Sequence, residues 1–217
     1  MVTNIELYKM FLSKVRKSKV GSVPPEDFLL WINKAQRVVV DNKLAAMGLN
    51  TRHEDDLLPL HINDASLEAI TGFAGYFKLP SNYLRKDSVY VTLTKGTEVL
   101  LHVKCIPARA NRISSILSSS YDAPTVDRCY FVYEVKGTFN AIHFYCPSSY
   151  TVTAYMCYYK EPALIAYVHG VPAIELIWNA SMINEIVDTA SALYIAGIAD
   201  SRLQSELAMK NQTNTNF

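Results

Sequence analysis

Between Asn179 and Gln212 the apolar positions fall at Ile183, Ile186, Val187, Ala190, Leu193, Tyr194 and Ile198, which is the i, i+3, i+4, i+7 spacing of an amphipathic helix. Asn184, Glu185, Asp188, Thr189 and Ser191 lie off that stripe, while Ala190, Ala192, Ala196, Gly197 and Ala199 are small enough to let another backbone come close. The spacing predicts one long helix, capped by Asn179, whose stripe is the core face of its own domain. Beyond Gly197 the stripe weakens. Arg202, Glu206 and Lys210 form a ladder of i, i+4 charges, a weak stabiliser on an exposed helix. The tail Asn211 to Phe217 is polar except for its last residue and has too little apolar surface to fold alone.

Two helices are predicted at the other end. Ile5, Tyr8, Phe11, Leu12 and Val15 recur at helical spacing between Asn4 and Lys19, with Lys9, Lys14, Arg16, Lys17 and Lys19 around them as a solvated basic face. Gly21-Ser22-Val23-Pro24-Pro25 breaks that helix, and Glu26-Asp27 supplies the acidic first turn of the next. Phe28, Ile32, Ala35, Val39 and Ala46 form its stripe, Leu29, Trp31, Val38 and Leu44 its flanks, and Gly48 its cap. Leu49 to Phe73 is irregular and reads as a long connection with one short strand.

From Tyr76 the period changes to two. Val89, Val91 and Leu93 alternate with Tyr90, Thr92 and Thr94; after Lys95-Gly96, Val99, Leu101, Val103 and Cys105 alternate with Glu98, His102 and Lys104, which predicts a hairpin. A second hairpin joins Cys129–Val135 to Phe139–Cys146 around Lys136-Gly137-Thr138, and a last strand runs from Tyr150 to Lys160. Pro107 to Asp127, rich in Arg, Ser, Asn and Ala, reads as a surface excursion. Ala163 to Gly170 is a connection, and Ile174 to Trp178 returns briefly as a strand. The predicted fold is α+β: helical ends (1–75 and 171–217) packed together, with an inserted antiparallel β-sandwich or barrel-like body at 76–170.

Composition supports this division, because twelve of the fourteen tyrosines and all four cysteines fall between Tyr76 and Tyr167 and tyrosine favours strands. Half of the 217 residues are hydrophobic, enough for a sizeable core. The formal charge of +1 gives no global attraction to nucleic acid or anionic membrane. There is no run of eighteen apolar residues, and Met1-Val2-Thr3-Asn4-Ile5-Glu6 lacks the order of a secretory leader, so a soluble chain made in a cytoplasm is expected. Cys105, Cys129, Cys146 and Cys157 show no CxxC pair and read as small buried hydrophobes.

The usual catalytic signatures GxSxG, GxxxxGK[ST], HExxH and GxGxxG do not occur. His53, Glu54, Asp55 and His61 lack metal-ligand spacing and read as a solvated loop. His102 with Cys105, and His143 with Cys146, are three apart on strands and therefore point to opposite faces. Glu98 and Glu134 are conceivable as the two carboxylates of a glycosidase but read as solvent-facing strand residues. The expectation is a protein that is not an enzyme and needs no cofactor or metal. The tyrosine-rich sheet leaves one alternative, a glycan- or peptide-binding module, since tyrosine offers a large amphipathic face.

Element order and three motifs carry a resemblance. The motifs are the strand entry Phe77-Lys78-Leu79-Pro80-Ser81-Asn82-Tyr83-Leu84, the exit Tyr158-Tyr159-Lys160-Glu161-Pro162, and the helix Glu185-Ile186-Val187-Asp188-Thr189-Ala190 closing with Asp200-Ser201-Arg202. Together they resemble the tail-adaptor, or neck ring, proteins of short-tailed bacteriophages, including crAss-like phages. The resemblance implies a structural virion protein that forms a homo-oligomeric ring, a dodecamer, at the portal. Such a ring extends the DNA channel without binding DNA specifically and docks later tail proteins. It also implies that the helical part forms the ring and that the C-terminal segment reaches a neighbour. Ala190, Ala196, Arg202, Glu206, Lys210 and Phe217 are the interface residues expected on that basis.

Overall fold

The computed structural model describes residues 2–17, 23–47, 51–167 and 174–214, with side chains described over 2–16, 23–47, 54–167 and 174–198. The chain divides into two compact units, Met1–Pro59 together with Pro162–Phe217, and Leu60–Glu161.

The first unit is helical. Helix α1 (Asn4–Lys17) starts at a capping box that the periodicity did not reveal: Thr3 N–H donates to Glu6 Oε2 at 2.9 Å and Glu6 N–H to Thr3 Oγ1 at 3.3 Å. Its fully buried row is Leu7, Phe11 and Val15, with Ile5, Tyr8 and Leu12 flanking. Helix α2 (Pro25–Ala46) buries the expected Phe28, Ile32, Ala35 and Val39, and also Gln36 and Lys43; Gly48 lies outside the described residues. Helix α3 (Thr51–Leu57) occupies part of what the sequence presented as a connection. Helix α5 (Ala180–Asn214) is the predicted long helix; Asn179 caps it, its Oδ1 accepting from Met182 N–H at 2.9 Å. Ile183, Ile186, Val187, Ala190 and Tyr194 are buried as the stripe requires. The ring of Phe11 lies 5.4 Å from Phe28 and 5.7 Å from Tyr194, so one aromatic cluster joins α1, α2 and α5.

Gly197 does not interrupt α5. A Cβ there would lie 3.0 Å from the Trp31 indole, so the glycine admits a large ring from α2. The segment before α5 forms no strand at Ile174–Trp178, only an isolated bridge between Thr3 and Glu175. Amide side chains hold it instead. Asn4 donates to Ala166 O (2.8 Å) and accepts from Ile174 N–H (3.0 Å); Asn33 accepts from Ile165 N–H (2.7 Å). Gln36 donates to Ala163 O (3.0 Å) and accepts from Trp178 Nε1 (2.9 Å).

The second unit is one curled seven-stranded sheet: β1 (His61–Ser66), β2 (Tyr76–Lys78), β3 (Tyr83–Lys95), β4 (Glu98–Pro107), β5 (Cys129–Lys136), β6 (Phe139–Tyr145) and β7 (Thr151–Lys160), in the order β1-β7-β3-β4-β5-β6-β2. Both predicted hairpins are present. Of the expected antiparallel sandwich or barrel-like body, the curl is that of a half-barrel, but the sheet is mixed, because β4 and β5 run parallel. The excursion between them, which carries the short helix α4 (Ile113–Ser118), is long enough to return the chain in the same direction. The two edge strands are linked by the chain between them: Ala69 bridges to Phe77, and Lys78 N–H donates to Glu68 O at 2.8 Å. Leu67, Phe77, Val91, Leu93, Phe131, Ile142, Phe144 and Met156 belong to the buried core inside the curl.

One predicted alternation is wrong on β4. Val91 pairs with Val103 but Leu93 pairs with Leu100, so two residues, Leu101 and His102, oppose one on β3. This bulge carries His102 at φ 56° and shifts the register of facing by one. Leu100 and Val103 therefore pack on the core, whereas Val99 and Leu101 are exposed.

Candidate functional site

The entry motif folds into the wall of a cleft in the β unit. Tyr83 N–H donates to Pro80 O at 3.1 Å, closing a tight turn, and Leu79 N–H donates to Asn140 O at 3.0 Å beside the β5–β6 turn. Leu79, Pro80, Ser81 and Tyr83 thereby line a cleft of about 650 Å³ within the β unit, a size suited to a small ligand or a short peptide segment. Ala65–Glu68 and Phe139 also line it. Lys78 Nζ lies 2.7 Å from Glu68 Oε1 and 4.7 Å from the Phe139 ring centre, so the one cation in the wall is already neutralised. Tyr158 OH donates to Asn82 Oδ1 at 3.0 Å.

An adjoining hollow of about 400 Å³ shares Leu79, Tyr83 and Asn140 and adds Tyr133, Glu134 and Val135. The Tyr83 and Tyr133 hydroxyls lie 3.4 Å apart. Burial, and then that contact, push the Tyr133 phenol well above its ordinary range. Neither wall contains a His, a Cys or a nucleophile paired with a base. The chemistry on offer is recognition: aromatic and aliphatic surface interleaved with hydroxyls and an amide.

The residues weighed for catalysis are engaged elsewhere. Glu98 accepts from Tyr150 OH and Glu134 from Tyr76 OH, each at 3.0 Å, and Glu98 does not line the hollow that Glu134 helps to form. His61 Nε2 lies 3.2 Å from Asp87 Oδ2 and its ring 4.8 Å from Tyr159. Glu54 and Asp55 are exposed on α3, and the side chain of His53 lies outside those described. His143 is stacked 3.8 Å from Tyr76 and lies tilted 4.1 Å from Tyr145, and burial holds its imidazole below the ordinary value. His102 is exposed whereas Cys105 is buried, the opposite orientation expected for that pair. Among the described residues no group of three or more His, Cys, Asp or Glu is placed to hold a metal ion.

Sequence reasoning missed a cluster around Tyr90. Its hydroxyl donates to Asp64, its ring stacks 5.4 Å from Tyr155, and His102 lies 4.8 Å away. Asp64 and His102, at φ 53° and 56°, both sit at irregular pairings. A non-glycine residue in the left-handed region marks a bulge that re-aims a side chain, but alternation patterns carry no signal for it. The Tyr90 hydrogen bond, followed by that of Cys157, holds the Asp64 carboxyl below the usual carboxylate range.

Of the expected interface residues, Ala190 is fully buried within its own unit, so its small side chain serves internal packing, and Ala196 is exposed. Arg202, Glu206 and Lys210 lie along α5 with side chains outside those described, and Phe217 lies outside the described residues. No helix among the described residues is long and apolar enough to cross a membrane. Compared with protein-family models and with curated proteins, the chain matches none.

Proposed function

We propose that the chain is a structural virion protein of a phage neck, assembling as a homo-oligomeric ring, a dodecamer by resemblance, against a portal protein. The observation that carries this reading is the insertion: residues 60–161 form one uninterrupted β unit, while both flanking segments belong to the same helical unit. In that organisation the helical ends build the ring and the β body presents a docking platform for tail proteins. The helix motif supports it. Glu185 takes Lys43 of α2 at 3.0 Å, and Asp188 takes Lys14 of α1, so both acids of the motif tie the last helix to the N-terminal ones. Leu164, Ile174 and Ile177 leave apolar surface exposed on the helical unit, with Leu164 79% exposed, the kind of surface that assembly covers. A near-neutral charge suits a lumen through which DNA passes without being held. Light scattering of the purified chain with and without portal, followed by negative-stain imaging, tests this. Ring-shaped particles are expected; a chain that stays monomeric and never joins portal overturns the reading.

The β-unit cleft favours a second reading, a glycan- or peptide-binding module, because exposed Ser81, Thr138 and Asn140 sit beside Tyr83 and Phe139. Glycan-array or peptide-array binding by a monomer, lost in Tyr83→Ala, would favour it over the ring.

A further inference from the structure

Three of the four free cysteines form a row. Cys105 on β4 is the Cα partner of Cys129 on β5. The β5–β6 register pairs Tyr130 with Tyr145, so its next step sets Cys146 opposite Cys129 on the other side. All three point to the inside of the curl, where Cys105 and Cys129 are core residues and Cys146 packs against them. The Cys129 thiol donates to Thr125 O at 3.7 Å and the Cys105 thiol to Val103 O at 3.6 Å. Cys146 is partly exposed while the other two are buried.

We propose that this row is an oxidation site at which a hydroperoxide converts Cys146 and Cys129 into a disulfide that staples the end of β6 to β5. Adjacent strands hold Cα atoms about 4.5–5.5 Å apart, inside the range a disulfide spans. The backbones at Cys105 and Cys146 are about 10 Å apart, two strand spacings, beyond the Cα separation a disulfide spans, and among the described residues no group of three or more His, Cys, Asp or Glu is placed to hold a metal ion. Cys129 can bond only one neighbour, so each chain forms a single bond and keeps one thiol of the row reduced.

Solvent access decides the order of steps. The Cys146 sulfur attacks one peroxide oxygen and the O–O bond breaks; the thiol proton leaves with the departing hydroxide as water, giving a sulfenic acid. The Cys129 sulfur then attacks the Cys146 sulfur, the S–O bond breaks, and the hydroxyl takes the Cys129 proton as a second water. Two thiols lose two electrons in total, and the peroxide gains them. Cys129 suits the second step because it is buried with a thiol on each side, whereas Cys146 is the member of the row that solvent reaches.

The test uses the folded full chain treated with hydrogen peroxide, blocking of remaining thiols with N-ethylmaleimide, and peptide mass spectrometry. The expected result is a Cys129–Cys146 cross-linked peptide, reversed by dithiothreitol, with Cys105 and Cys157 blocked. Cys146→Ser, at a partly exposed position, should abolish that cross-link with an unchanged circular dichroism spectrum, and Cys157→Ser should leave it intact. Recovery of four blocked thiols, a bond involving Cys157, a bond between chains, or undiminished disulfide as Cys105–Cys129 in Cys146→Ser would each overturn the proposal.

Discussion

Lys43 Nζ lies 2.7 Å from Asp56 Oδ2, with both side chains almost completely buried, at 7% and 4% exposure. Burial alone would lower the lysine's pKa, but the Asp56 and Glu185 carboxylates outweigh it and raise the value above 10.5. Asn179 adds a donor to the same Asp56 at 2.7 Å while capping α5, so α2, α3 and α5 meet at one charged centre. Removing a single partner of such a pair strands the other charge, and Lys43→Met should cost about 3–5 kcal/mol in urea unfolding. Lys43→Met with Asp56→Leu should recover most of that loss; a double variant as unstable as the single one would show that the pair is not the cause.

The same centre sets a pH dependence. Because the folded pKa is raised, the lysine's contribution is fully present below the unfolded value and is lost as pH rises from 10.5 through the folded value. Thermal unfolding of the parent chain should therefore fall more steeply across that alkaline window than that of Lys43→Met. Parallel curves would exclude Lys43 as the titrating group.

Gly197 and Trp31 are matched in size. Alanine at 197 gains roughly 1 kcal/mol of helix propensity but sets its Cβ 3.0 Å from the indole, and overpacking costs about 1–3 kcal/mol. Gly197→Ala should be close to neutral and Gly197→Leu clearly destabilising. The leucine penalty should shrink in a Trp31→Ala background, as a double-mutant cycle would report.

His102 tests the bulge on β4. A β-branched residue is strained at φ 56°, so His102→Val should destabilise by about 1–2 kcal/mol relative to His102→Gly. Equal stabilities would mean that the strand re-registers instead of keeping the bulge.

The long helix was legible in the sequence because its stripe spans enough turns to be unambiguous, and Asn179 announces its start. The two hairpins were legible from alternation around Gly96 and Gly137, both of which adopt positive φ. The β4–β5 pairing was hidden, since parallel pairing depends on a partner across a long excursion and leaves no local mark. The bulges at Asp64 and His102 were hidden for a related reason: a period of two continues through the text of the sequence even where the backbone breaks it. Of the candidate cleft, the Leu79–Tyr83 motif was visible as a motif, but its partners at Ala65–Glu68 and Phe139 come together only when the sheet curls.

Gln36 offers the sharpest check on the helical unit, because the hydrophobic pattern of α2 places a polar residue where only a fully used one is tolerated. Its amide donates to Ala163 O and accepts from Trp178 Nε1, and the side chain is buried. Gln36→Leu keeps the apolar volume but leaves a carbonyl and an indole N–H without their partner, each costing about 1–3 kcal/mol when buried. Trp178→Phe removes the indole donor beforehand. In that background Gln36→Leu should cost less by about the contribution of one hydrogen bond, roughly 1 kcal/mol. Additive losses in the two single variants would mean that Gln36 and Trp178 act independently, and that the segment leading into α5 is held by packing alone.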